Sequence, residues 1–109
     1  MDDGTVRKYN RIWGMTGLAA KAGKIAAGAR ACEEAVRTGR IFLVMIAEDA
    51  ANNTTEGIEK LCIRNDVPYM VIGKIETFGD HVGRSGIAVL GITDTKLADR
   101  IKQIYDLKD

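Results

Sequence analysis

Glu48 and Asp49 stand side by side where the apolar run Ile41 to Ala47 ends. Open α/β sheets carry metal ligands and general bases at that end of a strand. The same pair, leading into Ala50-Ala51-Asn52-Asn53, also serves as polar turn chemistry before a helix, and that is the stronger reading. Gly17 to Lys24 (GLAAKAGK) invites comparison with a phosphate loop. It places five residues between its glycines instead of four, puts Ile25 where Ser or Thr would hold magnesium, and ends a helix rather than opening one. His81 is the single histidine, with no Ser or Cys beside it to activate, so it reads as a helix-surface residue. Cys32 and Cys62 lie far apart and outside any CxxC pair, which suits reduced core thiols, not a zinc centre. The residues therefore argue against an enzyme, and no catalytic, metal or cofactor site is expected.

Charge leaves one kind of chemistry open. The chain carries a formal +1, but residues 1–40 hold eight Lys and Arg against four acids, a net +4, while the remainder holds eight against eleven, a net −3. Such asymmetry permits a basic face that contacts phosphates on a nearly neutral protein. A solvated helix surface is the plainer explanation of charge alone. Aromatic residues are few and fall mostly at core-periodic positions, so a platform for stacking single-stranded bases is not expected.

These residues need elements to position them. Ile12, Met15, Leu18, Ala19 and Ala22 recur at three- and four-residue steps, which predicts a first helix of about four turns, stopped by Gly23. An extended piece, Lys24 to Ala27, leads to Gly28. A second helix from Ala29 to Thr38 buries Cys32, Ala35 and Val36, leaves Arg30, Glu33 and Arg37 to pair outside, and stops at Gly39. Ile41 to Ala47 is a continuous apolar run, as in a central strand covered on both faces. Asn53 with Glu56 resembles a capping box for a third helix carrying Ile58, Leu61 and Cys62 inward. Pro68 opens a strand from Tyr69 to Ile72. Ile75, Phe78 and Val82 mark a short fourth helix, Gly83-Arg84-Ser85-Gly86 a loop, and Ile87 to Ile92 a last strand. Asp94 caps a final helix with Leu97, Ile101 and Ile104 inward.

Helices alternating with strands predict a three-layer α/β/α sandwich around a small, mostly parallel mixed sheet. At 109 residues and 46% hydrophobic content the chain suits one domain, 1–109, that forms its core without disulfide or metal. No signal peptide or membrane span is read in it, and reduced thiols suit the cytoplasm.

With these elements assigned, Gly23 to Ala50 (GKIAAGARACEEAVRTGRIFLVMIAEDA) resembles the signature stretch of the L7Ae ribosomal protein family. That family includes an L30e branch, kink-turn proteins of small nucleolar particles, and small bacterial YlxQ-like members. The likeness includes Gly23 to Gly28, the turn Arg37 to Arg40, the strand ending Ala47-Glu48-Asp49, Cys62 with Val67-Pro68-Tyr69, and Phe78 through Gly83. It covers roughly residues 18–92. The resemblance implies the same sandwich and binding of a sharply bent RNA internal loop, a kink-turn, by two surfaces. Carried over, the first surface is Lys24, Gly28, Ala29, Arg30, Ala31 and Glu34, and the second is Gly83, Arg84 and Ser85. Glycine permits close backbone approach, and a helix N-terminus offers free N–H groups to phosphate. RNA-clamping members have Asn-Glu and then Lys where this sequence has Arg30, Ala31 and Glu34. The departure predicts a divergent RNA preference. Structured RNA, ribosomal RNA among the candidates, is thus the implied partner of a monomer, without membrane or small-molecule substrate. A protein-interaction module that has lost RNA contact is the alternative.

Overall fold

The computed structural model describes residues 3–107. In chain order they form α1 (Asp3–Lys21), β1 (Ile25–Ala27), α2 (Ala29–Arg37), β2 (Leu43–Ile46), α3 (Asn52–Arg64), β3 (Tyr69–Val71), α4 (Ile75–Val82), β4 (Val89–Ile92) and α5 (Thr95–Asp106). Because strand side chains alternate between faces, β2 sends Leu43 and Met45 into one core and Val44 and Ile46 into the other. The first core is closed by α1, α4 and α5, the second by α2 and α3. The result is the three-layer sandwich that the alternation predicts.

α1 keeps the expected Ile12 and Ala19 inside but is rotated about its axis. Trp13 and Thr16 complete its buried face, while Leu18 is 55% exposed and Ala22 is exposed. The helix lies between α4 and α5, so a ring this large is buried where α4 can cover it. Trp13 meets Phe78 at 5.4 Å between ring centroids and stacks on His81 at 5.5 Å. Thr16 enters the core without an orphaned hydroxyl because its Oγ1 donates to the Ile12 carbonyl at 2.8 Å.

The sheet order is β1-β4-β2-β3. It is mixed, as expected, but two of its three ladders are antiparallel, not mostly parallel. β1, β2 and β3 do run the same way, and β4 is inserted against them between β1 and β2. Ile46 supplies the reason: it pairs with Val71 on one side and Val89 on the other. The chain therefore leaves β3 and enters β4 at one end of the sheet. α4, eight residues and about 12 Å long, stays at that end instead of carrying the chain back. The same reversal brings the loop before β4 to the end of β1, which decides where the functional surface lies.

Local details differ from expectation in two places. α3 begins at Asn52 after Ala51 with no side-chain cap, so the Asn53–Glu56 box does not form. Phe42, read as part of the buried run, is exposed, and β2 proper starts one residue later. Asp94 caps α5 as predicted, accepting from the Leu97 N–H at 2.9 Å. Cys32 and Cys62 are free and buried. Burial pushes the Cys32 thiol up to about 12 and the Cys62 thiol up to about 11. Thiols held so far from their thiolate form are inert core residues.

Candidate nucleic-acid interface

Gly28 joins β1 to α2 at φ 95°, ψ 159°, a region that residues with a Cβ scarcely enter. Its N–H donates to the Val89 carbonyl at 2.8 Å, so the turn is fastened to the strand that follows the Gly83–Gly86 loop. α2 starts there with no side-chain cap and no acid in its first turn. Its first N–H groups and the positive end of its dipole therefore have no built-in anionic partner.

Beside this helix end a groove of about 750 Å³ lies between α2 and β1. Ala31, Glu34 and Ala35 of α2 form one wall, Arg84 stands at one end, and Arg40, Phe42 and Thr93 lie further along. The turn at Gly28 and the loop at Arg84 thus converge on one face. Glu34 faces Arg40 at 3.7 Å, with the two side chains 71% and 65% exposed. A pair so open to solvent contributes on the order of 0–1 kcal/mol and separates readily. The helix-surface pairs expected among Arg30, Glu33 and Arg37 are absent from the ion pairs of the described residues.

Of the sequence-predicted positions, Ala31, Glu34 and Arg84 line this groove. Gly28 and Ala29 are half-buried at its end, and Lys24 and Arg30 are exposed nearby in the chain. Gly83 and Ser85 line a separate depression of about 410 Å³ against α4, with Gly79 and Asp80. Gly83 ends α4 in the left-handed conformation, and the Arg84 carbonyl lies 3.5 Å from where a Cβ on Gly79 would stand. That close packing fixes the loop's height above the helix. The groove also contains Gly39, Arg40, Phe42 and Thr93, none of which the sequence assigned to a site.

Glu48 and Asp49 have structural work. Glu48 pairs with Lys74 at 3.7 Å on the surface, and Asp49 Oδ1 accepts from the Ile75 N–H at 2.9 Å, satisfying an orphan donor at the start of α4. Asp49→Ala is expected to cost about 1 kcal/mol, as loss of a cap does, and to lower Tm by about 4–8 °C. Asp49→Asn should keep most of that stability, and thermal melts of the two variants check the assignment. An unchanged melt for the alanine variant would mean the bond contributes nothing. Among the described residues no three His, Cys, Asp or Glu gather where they would hold a metal ion, and no helix is long and apolar enough to cross a membrane.

The geometry defines a small α/β sandwich with a groove between α2 and β1 that holds Glu34, Arg40 and Arg84, and with its acidic pair engaged at the start of α4, Asp49 as a cap and Glu48 in an ion pair. Its family follows from comparison with known proteins: residues 11–101 match the ribosomal protein L7Ae/L30e/S12e/Gadd45 family, and the chain belongs to it. It is not an enzyme. The RNA-binding protein YlxQ of Bacillus subtilis (strain 168) is 28% identical over 92 residues, which cover 84% of this chain and 92% of that protein. A protein of unknown function from Bacillus halodurans C superposes with a TM-score of 0.85 at 25% identity, covering 88% of this chain and 97% of the other. The 15.5kD RNA binding protein of Giardia lamblia superposes with a TM-score of 0.71 at 19% identity, over 95% and 99% of the two chains, a likeness of fold.

Proposed function

We propose that this chain binds structured RNA, an internal loop of kink-turn type or a relative of it, through the uncapped start of α2 and the Arg84 loop. Ribosomal RNA is the leading candidate, and the protein acts as a cytoplasmic monomer. One observation carries the reading: Ala31 and Glu34 of α2 and Arg84 of the loop line the same groove, although more than forty residues separate them in sequence. Backbone N–H groups at Ala29, Arg30 and Ala31 face no side-chain cap, so a phosphate can accept from them, and Lys24, Arg30 and Arg84 supply charge around it. Gly83 and Ser85 hold the second surface close. The family and the RNA-binding relative support the same direction.

Base reading is a different matter from phosphate contact. Ala31 offers no carboxylate to a guanine edge, and a lost bidentate contact of this kind removes on the order of 1–3 kcal/mol of discrimination. Equilibrium binding to a kink-turn duplex and to an unrelated hairpin, at low and at physiological salt, tests the proposal. Both RNAs are expected to bind at low salt, with the kink-turn preferred by no more than about ten-fold. Failure of both to bind at low salt rejects the function.

A further inference from the structure

The groove along β1 does not end where the Gly28 turn and the Arg84 loop meet. It continues to Gly39, Arg40, Phe42 and Thr93. Phe42 is 37% exposed there, although its neighbours Ile41 and Leu43 are 4% and 0% exposed. Its N–H donates to the Ile92 carbonyl at 2.9 Å, so the ring projects from a fixed strand end and not from a mobile loop. Arg40 lies two residues before it, in the same groove.

The backbone of β1 adds a second kind of contact. Gly28 donates to Val89 and Lys24 accepts from Thr93, so every other residue of the strand bonds to β4. Ile25 and Ala27, between those positions, turn their N–H and C=O groups to the outer edge, which has no neighbouring strand. Lys24, exposed at the start of that edge, and Arg40 bring cations to the same end as the ring.

We propose that the Phe42 half of the groove receives an unpaired RNA segment leaving the structured element bound at Gly28 and Arg84. One base stacks on Phe42, the phosphates lie toward Arg40 and Lys24, and the outer-edge groups of Ile25 and Ala27 are within the groove to meet base edges. The inference rests on the RNA-binding reading of the other half. A single ring is one stacking position and not the row of aromatics that the composition argues against. An added peptide strand fits less well: β1 is three residues long and turns only two outward, too short a ladder for strand addition. One nucleotide needs only a ring face, a cation and one or two amides.

The test uses three RNAs: a blunt kink-turn stem, the same stem with a 3′ hexauridylate extension, and a free dodecauridylate. Each is titrated into the full chain and into Phe42→Leu and Phe42→Tyr, whose melting curves are recorded alongside. Leucine keeps the apolar bulk and removes the ring; tyrosine keeps the ring. The extension is expected to tighten binding of the stem to the parent chain about ten-fold. That gain should vanish in F42L and persist in F42Y, with blunt-stem binding the same in all three proteins. No gain from the extension, or a gain that survives F42L, overturns the proposal, and an edge reserved for peptide would give that result. If the blunt stem fails to bind at low salt, the function proposed above fails by itself, and dodecauridylate then decides: binding that depends on the Phe42 ring sustains the groove, and binding that ignores it, or no binding, overturns it.

Discussion

Gly91→Ala is expected to destabilise the protein by about 1–3 kcal/mol, and Gly91→Val to destabilise it further. Gly91 lies inside β4, between Ala26 of β1 and Val44 of β2, with buried layers above and below. A Cβ placed there would overlap Cδ1 and Cγ1 of Ile41 and stand 3.4 Å from Cys32 Sγ. Two effects compete. Glycine is a poor strand residue, and replacing it gains up to about 1 kcal/mol of strand preference. Ile41, however, is 4% exposed, so its terminal carbons must leave their rotamer and press on packed neighbours to make room, and overpacking outweighs the gain. Valine adds two methyl groups to the same overlap, so its cost is larger. Ile41→Val removes the offending methyl and should recover part of the loss in the Gly91→Ala background. Urea unfolding of the two single variants and the double variant measures that coupling. If Gly91→Ala is as stable as the parent chain, or if Ile41→Val adds its own cost without any rescue, the packing argument is wrong.

The elements were legible because each carries a local signal. Glycines 23, 39 and 83 take positive φ at helix ends, Asp94 caps α5, and the apolar run around Val44 is buried on both faces. The direction of β4 was not legible, since alternation of elements says nothing about whether α4 crosses the sheet. That depends on Val71 and Val89 both pairing with Ile46, a tertiary fact. The rotation of α1 escaped for a similar reason. Periodicity fits both the stripe through Met15 and Leu18 and the one through Trp13 and Thr16, and the choice is made by Phe78, far along the chain.

The candidate site was legible only in part. The glycine turn and the Arg84 loop have composition that marks them, and a family resemblance ties them together. Arg40 and Phe42 carry no comparable mark. Phe42 sits in a run of strand formers, where a buried reading is the natural one, and its exposure follows from β2 starting one residue later, which leaves Phe42 outside the strand at the end of the sheet where the groove opens. The roles of Glu48 and Asp49 became distinct only when α4 was seen to begin above them, with the Ile75 N–H within reach of one carboxylate and the Lys74 ammonium near the other.

Glu34→Lys should tighten RNA binding by about ten-fold at low salt, and Arg84→Glu should weaken it by at least as much. The two residues line one groove, so they act on the same ligand with opposite sign. Glu34→Lys changes the local charge by two and also releases Arg40 from its partner, which brings two more cations to a phosphate chain. Each added phosphate contact steepens the dependence of log K on log salt by about 0.7–0.9. The slope should therefore rise by roughly 1.5 in the lysine variant and fall by about 1 in the glutamate variant. Stability offers the control. Both side chains are exposed and bear on no core contact, so the melts should stay within about 0.5 kcal/mol of the parent chain. Arg30→Ala, outside the groove but at the start of α2, should weaken binding of all RNAs alike and flatten the slope less than Arg84→Glu, because it removes a charge without adding the opposite one. If Glu34→Lys and Arg84→Glu shift affinity in the same direction, the groove is not where the phosphates lie, and the helix end at Gly28 would have to hold the RNA without it.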